Sequence, residues 1–267
     1  MSPELVSAAE APTLSAAICA LLDLLGHGAT TGEIWLSGRS RHGFGETSCR
    51  LPIAQCEPGW VPVAILEKLE EDVWAMAMDL AVHRRGSPEL LRLGALPIAF
   101  VFPRVYRNGH GVERGPGSHW TIPREQIADA LTRLEAFPLS PAMTIAAGSV
   151  VTVLWGVEPP IDVSTPAAQA GALDLQRRLS RALGAVALPD ETRLADLRIP
   201  CPGFVVREAP YRDFVTVPFV DPTHVYDVAA IEAAVADHTA RAAVAAATPA
   251  TEIPRARSRA RHQEATI

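Results

Sequence analysis

Apolar residues behind Pro12 and Thr13 recur at helical spacing as far as Leu25 and stop at Gly26, which predicts a first helix over 12–25. The segments GEIWLSG (32–38) and SCRLPIA (48–54) are short, β-branched or alternating, and are separated by a polar, glycine-containing stretch. They predict a hairpin with a long loop. From Pro62 to His83, Ile65, Leu69, Val73, Met76 and Leu80 recur at steps of three and four, with Glu67, Glu70 and Glu71 opposite. That periodicity predicts a second helix, with its methionines as core packing.

Beyond Gly94, the run ALPIAFVF predicts a buried strand, and PRVYRNGHGVERGPGSHW, dense in glycine and proline, predicts loop. Arg124–Phe137 has helical spacing with Pro123 at its start. MTIAAGSVVTVLWGV (143–157) predicts two strands around a tight turn at Gly148 and Ser149, or one bulged strand. Pro166–Leu183 predicts a helix capped by Gly184, 214–220 a late strand, and Val225 to Ala247 a last helix. The final twenty or so residues have few apolar positions and are expected to be a disordered basic tail over 248–267. Strands and helices alternate irregularly, which favours an α+β fold with a mixed or antiparallel sheet. The domain is expected to span 12–247, with a boundary between two subdomains near 94 as an option.

Composition adds the setting. A hydrophobic fraction of 48% with 20% charged residues suits a globular protein, and no apolar run is long enough to span a bilayer. Acidic residues precede the first apolar stretch with no basic leader, so a cytoplasmic location is expected. Cys19, Cys49, Cys56 and Cys201 show no metal-binding spacing and suit reduced thiols. A net charge of −6 argues against coating nucleic acid through bulk charge. The basic residues are almost all arginine and fall in short groups, among them Arg84 with Arg85, Arg104 with Arg107, and Arg177 with Arg178. Genomic bias is the plain explanation of that excess.

The order of segments from 94 onward resembles the archaeo-eukaryotic primase-polymerase superfamily, in the type found in plasmid and phage replication proteins. The resemblance is carried by FVFPRVYRNGHG (100–111), HW (119–120), the helix at 124–137, AAGSVVTVLW (146–155), LQRRLSRALGA (175–185) and DLRIPCPG (196–203). VTVPFVDPTHVYDVAAIE (215–232) matches the closing strand and helix. The resemblance implies a nucleic-acid or nucleotide-binding cleft lined by Arg104, Arg107, Ser149, Thr152 and Arg198.

The same resemblance implies catalytic loss. Two-metal nucleotidyl transfer needs carboxylates converging on cations about 4 Å apart. Two aspartates one residue apart on a strand share a face and can serve. The chain has no Asp-x-Asp; Ile122 and Arg124 stand at the implied metal positions and Thr152 at that of a phosphate-contacting histidine. Asp162, Asp190 and Asp196 read as turn or cap residues, His110 and His119 as solvated loop histidines, and Arg198 could equally pair with Asp196 or Asp190. No catalytic residue and no cofactor is expected. The alternatives are an active primase-polymerase with relocated ligands for magnesium, or a scaffold subunit contacting a helicase or another replication protein. Single-stranded or primer-template DNA is the expected partner, a membrane is not, and a mobile element is the expected setting.

Overall fold

The computed structural model describes residues 14–26, 31–40, 46–53, 73–102, 105–107, 119–121, 124–185, 193–208 and 211–247. The chain begins with helix α1 (Leu14–Gly26), then strands β1 (Glu33–Ser40), β2 (Glu46–Pro52), β3 (Val73–Asp79), β4 (Ala81–His83) and β5 (Leu90–Val101). Two short strands, β6 (Val105–Arg107) and β7 (His119–Thr121), precede α2 (Arg124–Ala136), β8 (Met143–Ala147), β9 (Val150–Asp162) and α3 (Pro166–Ala182). A 3₁₀ turn (Leu194–Asp196) leads into β10 (Arg198–Pro200), β11 (Val205–Glu208), β12 (Tyr211–Phe214), β13 (Thr216–Val220), β14 (Val225–Tyr226) and α4 (Val228–Ala247).

Among the described residues, ten strands form one sheet, antiparallel except for the β14–β9 pair, so the fold is α+β as expected. β1 pairs β2 along one edge and β3 and β4 along the other. β3 and β4 behave as one strand interrupted at Leu80: β10 pairs the β3 part, and β5 pairs the β4 part. β5 then pairs β9, followed by β8 and β13.

Two apolar layers hold the sheet. Trp155 is fully buried, donates from Nε1 to the Leu139 carbonyl at 3.1 Å and meets Phe137 edge-on at 5.7 Å between ring centres. The next residue, Gly156, points the other way: a Cβ there would lie 2.9 Å from Leu24 Cδ1 of α1. Successive strand residues face opposite sides, so α1 covers one face of β9 and the helices around Phe137 the other. Gly94 lets α1 approach equally closely, since a Cβ on it would sit 2.4 Å from the Leu24 carbonyl oxygen.

Several predicted elements match: α1, the β1–β2 hairpin, the strand after Gly94, α2 and α3, the last with Gly184 at φ +60°. Of the two options for 143–157 the hairpin is found, turning at Gly148 (φ +61°) and Ser149. Others differ. The helix predicted over 62–83 is strand in its described part, 73–79 and 81–83. Met76, Met78, Leu80 and Val82 are buried at steps of two, and cross-strand pairing with β1 and β10 decides the outcome. The segment predicted as loop after Phe102 carries β6 and β7 paired antiparallel at its ends. The strand predicted over 214–220 breaks at Val215, whose N–H and the N–H of Gly203 tie it to 203–204 instead. The last helix starts at Val228, Val225–Tyr226 being a strand. The tail, the 109–117 glycine-rich segment and 62–70 lie outside the described residues.

Candidate functional site

Alternation in β1 to β4 and β10 sends Ile34, Leu36, Met78 and Ile199 inward, each at most 1% exposed, and their neighbours to the opposite face. That face carries Glu33, Trp35, Arg50, Asp79, His83 and Arg198. Register brings them together in pairs: Glu33 beside His83, Trp35 beside Arg50, and Asp79 beside Arg198.

Three of the six are ionisable and buried: Glu33 at 4%, Asp79 at 5% and His83 at 3% exposure. Burying such groups is costly unless each is paired, and here each is. Glu33 Oε1 accepts from Trp35 Nε1 at 2.8 Å and from the Gly86 backbone N–H at 3.1 Å. One oxygen of Asp79 bonds His83 Nε2 and the other accepts from Arg198 Nε, both at 3.0 Å. The Trp35 ring stacks on the His83 ring at 4.3 Å, and the Arg50 guanidinium lies 4.5 Å from the Trp35 ring centre.

An Asp–His pair can act as a general base only if the second ring nitrogen reaches a substrate. His83 Nδ1 instead faces the Pro88 carbonyl at 3.4 Å and the ring is covered by Trp35, so this pair anchors. What it anchors is Arg198. Asp79 holds its Nε, the side chain is 50% exposed, and its two terminal nitrogens have no partner among the described residues. A guanidinium fixed at one end and open at the other suits a phosphate or carboxylate, which takes paired donors.

The predicted site residues that are described stand on three elements, β6, the β8–β9 hairpin and β10. Ser149 forms the β8–β9 turn, half-buried, and its carbonyl accepts from the Phe102 N–H at 2.8 Å. Thr152 pairs in register with Ala99 and Ile145, is 1% exposed, and its hydroxyl finds no partner among the described residues. Arg107 lies on β6 opposite His119, while Arg104, Ile122, His110 and Asp190 lie outside the described residues. Arg198 lies on β10, paired with Asp79 of β3.

Arg198 pairs with Asp79, 119 positions away, and not with Asp196, while Asp190 lies outside the described residues. Asp196 is held by Arg193 at 2.8 and 3.0 Å, and that hydrogen bonding keeps its carboxyl below the usual carboxylate range. Asp162 is likewise lowered, by hydrogen bonds from Ser164 and by Arg92, and accepts the Ser164 N–H at 2.8 Å in a turn. Both are the turn residues the sequence suggested. Burial pushes the Cys201 thiol up to about 12, which leaves it unreactive. Sequence reasoning missed Glu33, Trp35, Asp79 and His83; the signal available was the polar–apolar alternation of 33–36 and 76–82.

The resemblance implies magnesium only for an active enzyme, and no group of three or more His, Cys, Asp or Glu among the described residues is placed to hold a metal ion. The two buried carboxylates already bond protein donors. Arg124 opens α2 and so stands on a helix, not on a strand.

No protein-family model and no curated protein matches the chain. Among solved structures it is similar to the AEP domain of the cyanophage S-2L primase-polymerase. The TM-score is 0.50 at 13% identity, covering 82% of this chain and 96% of that one. Primase RepB' is a further neighbour, at TM-score 0.47 and 11% identity over 88% of this chain and 65% of that one. The catalytic domain of the same primase in complex with initiator DNA scores 0.44 at 10% identity, covering 90% and 100%.

Proposed function

We propose that this chain, which has the primase-polymerase fold, is a replication protein that binds nucleic acid or nucleotide phosphates and does not itself transfer nucleotides. The observation that carries the reading is Arg198: a buried carboxylate, itself backed by His83, holds one end and leaves the other exposed. Preorganisation of this kind lowers the ordering cost of binding an oxyanion. Arg104, Arg107, Ser149 and Thr152 belong to the same proposed cleft by their place in the motif order. Thr152, 1% exposed, offers neither a cation nor an open surface to a phosphate, so the charge of the cleft rests on its arginines. The protein is taken to act in the cytoplasm, on single-stranded or primer-template DNA, with a helicase or other replication protein as a further partner. No helix of the described residues is long and apolar enough to cross a membrane.

The test is fluorescence anisotropy with labelled single-stranded and primer-template DNA across a salt series, on the wild type and Arg198→Lys. Lysine keeps the charge and loses the fork, so affinity is expected to fall about three- to tenfold, with a steep salt dependence in the wild type. Primer extension with magnesium or manganese is expected to give no product. Absence of DNA binding at low salt, or a product that disappears when a carboxylate is replaced, overturns the reading.

A further inference from the structure

A cavity of about 720 Å³ opens where the β4–β5 turn, the end of β9 and the residues before β1 meet. Its wall carries Arg84, Arg85 and Arg92, with Pro159, Pro160 and Leu91 as an apolar side. It stands apart from the predicted cleft: Arg84 follows Asp79 by five residues, about 17 Å of strand from the Arg198 contact, and lies at the opposite end of β5 from Ser149.

The turn that presents the arginines is fixed. The Arg84 N–H donates to the Glu89 carbonyl at 2.8 Å and the Ser87 N–H to the Arg84 carbonyl at 2.9 Å. Gly86, at φ +74°, gives its N–H to buried Glu33 at 3.1 Å, which ties the turn to the sheet. The charges on the wall are unequal in freedom. Arg84 pairs with Glu89 at 2.7 Å, whereas Arg85 makes no ion pair or side-chain hydrogen bond among the described residues. The acidic groups of the rim are occupied: Asp162 accepts from Ser164, and Glu158 has an interaction of its own. An exposed cation on a rigid turn, two more arginines on the wall and an apolar side in a volume typical of small-ligand sites fit a phosphate attached to a planar base.

We propose that this cavity is a second phosphate-binding site, with Arg85 as the recognition cation and Arg84 and Arg92 as fixed charges around it. The phosphate comes from a free nucleoside triphosphate or from the backbone of single-stranded nucleic acid passing over the turn. Two probes separate these sources: a fluorescent nucleoside triphosphate and a labelled oligodeoxythymidine, each titrated against the full chain. Arg85→Glu is expected to weaken whichever probe binds by roughly tenfold and to reduce its salt slope. Arg177→Glu, the same charge change on the exposed side of α3, is expected to leave affinity unchanged. Arg85 has no ion-pair or hydrogen-bond partner among the described residues to lose, so an unaltered melting temperature is expected for its variant.

Binding by the wild type that is insensitive to Arg85→Glu, or equally sensitive to Arg177→Glu, overturns the proposal and leaves the Arg198 reading in place. No binding of either probe overturns both. Loss at Arg198→Lys with no change at Arg85→Glu counts against this site alone.

Discussion

The two halves of the sheet solve burial in different ways. Around β5 and β9 both faces are covered, and Leu93 through Phe100 are buried without a break, including Gly94, whose missing side chain admits α1. Such a strand reads as a continuous apolar run because both of its faces meet helices. Around β1, β3 and β10 only one face is apolar. The other holds buried Glu33, Asp79 and His83 in a closed set of hydrogen bonds, with Arg50 and Arg198 reaching solvent at its rim. The first half therefore owes its order to packing and the second to satisfaction of charge. The second also presents Arg198, held at one end by Asp79 and half-exposed at the other.

That contrast is sharpest at Trp155. Trp155→Ala removes the ring between the sheet and Phe137 and leaves the Leu139 carbonyl without its donor. A loss of about 4 kcal/mol is expected in urea denaturation, in the range for a buried tryptophan cut to alanine. Asp79→Ala in the other half is expected to cost about 2 kcal/mol. His83 loses its charged partner, but Arg198 is half-exposed and is rehydrated. The two variants should also differ in kind. Trp155→Ala should leave residual DNA affinity intact at temperatures where the protein remains folded, whereas Asp79→Ala should lower it by freeing Arg198. A variant of Asp79 that binds DNA as the wild type does would mean that the carboxylate only stabilises.

The same division governs what could be read from the sequence. β5, β8–β9 and α1 were legible because their burial follows local pattern: an unbroken apolar run, a Gly-Ser turn, a capped amphipathic stretch. The polar half was not. Between Val73 and His83 the apolar residues fit both a helical and a two-residue period, and Asp79 and His83, four apart, share a face in either. Pairing with β1 and β10 resolves the ambiguity, and β10 arrives from more than a hundred residues away. The partner of Arg198 was invisible for the same reason. Nearby Asp196 looked equally suitable, and only strand register places Asp79 beside it while Arg193 occupies Asp196. The motif order, in contrast, was legible as a fold, since it depends on the succession of elements and not on which side chains meet.

The smallest expected effect separates the exposed from the buried carboxylate. Asp196 has its pKa lowered in the folded protein, chiefly by the Arg193 hydrogen bond, from an ordinary value of 3.8. A group lowered on folding binds fewer protons folded than unfolded between its two values. It therefore contributes stability above pH 3.8, and that contribution disappears as pH falls through the lower folded value. Because the pair is exposed to solvent, the contribution is small and weakens with added salt. Asp196→Asn should therefore give a melting temperature close to the wild type at low pH. Near neutrality it should fall slightly below the wild type, and the gap should close in high salt. A gap that persists in high salt would show that Asp196 acts through the 3₁₀ turn leading into β10, and so on the placement of Arg198, and not through charge.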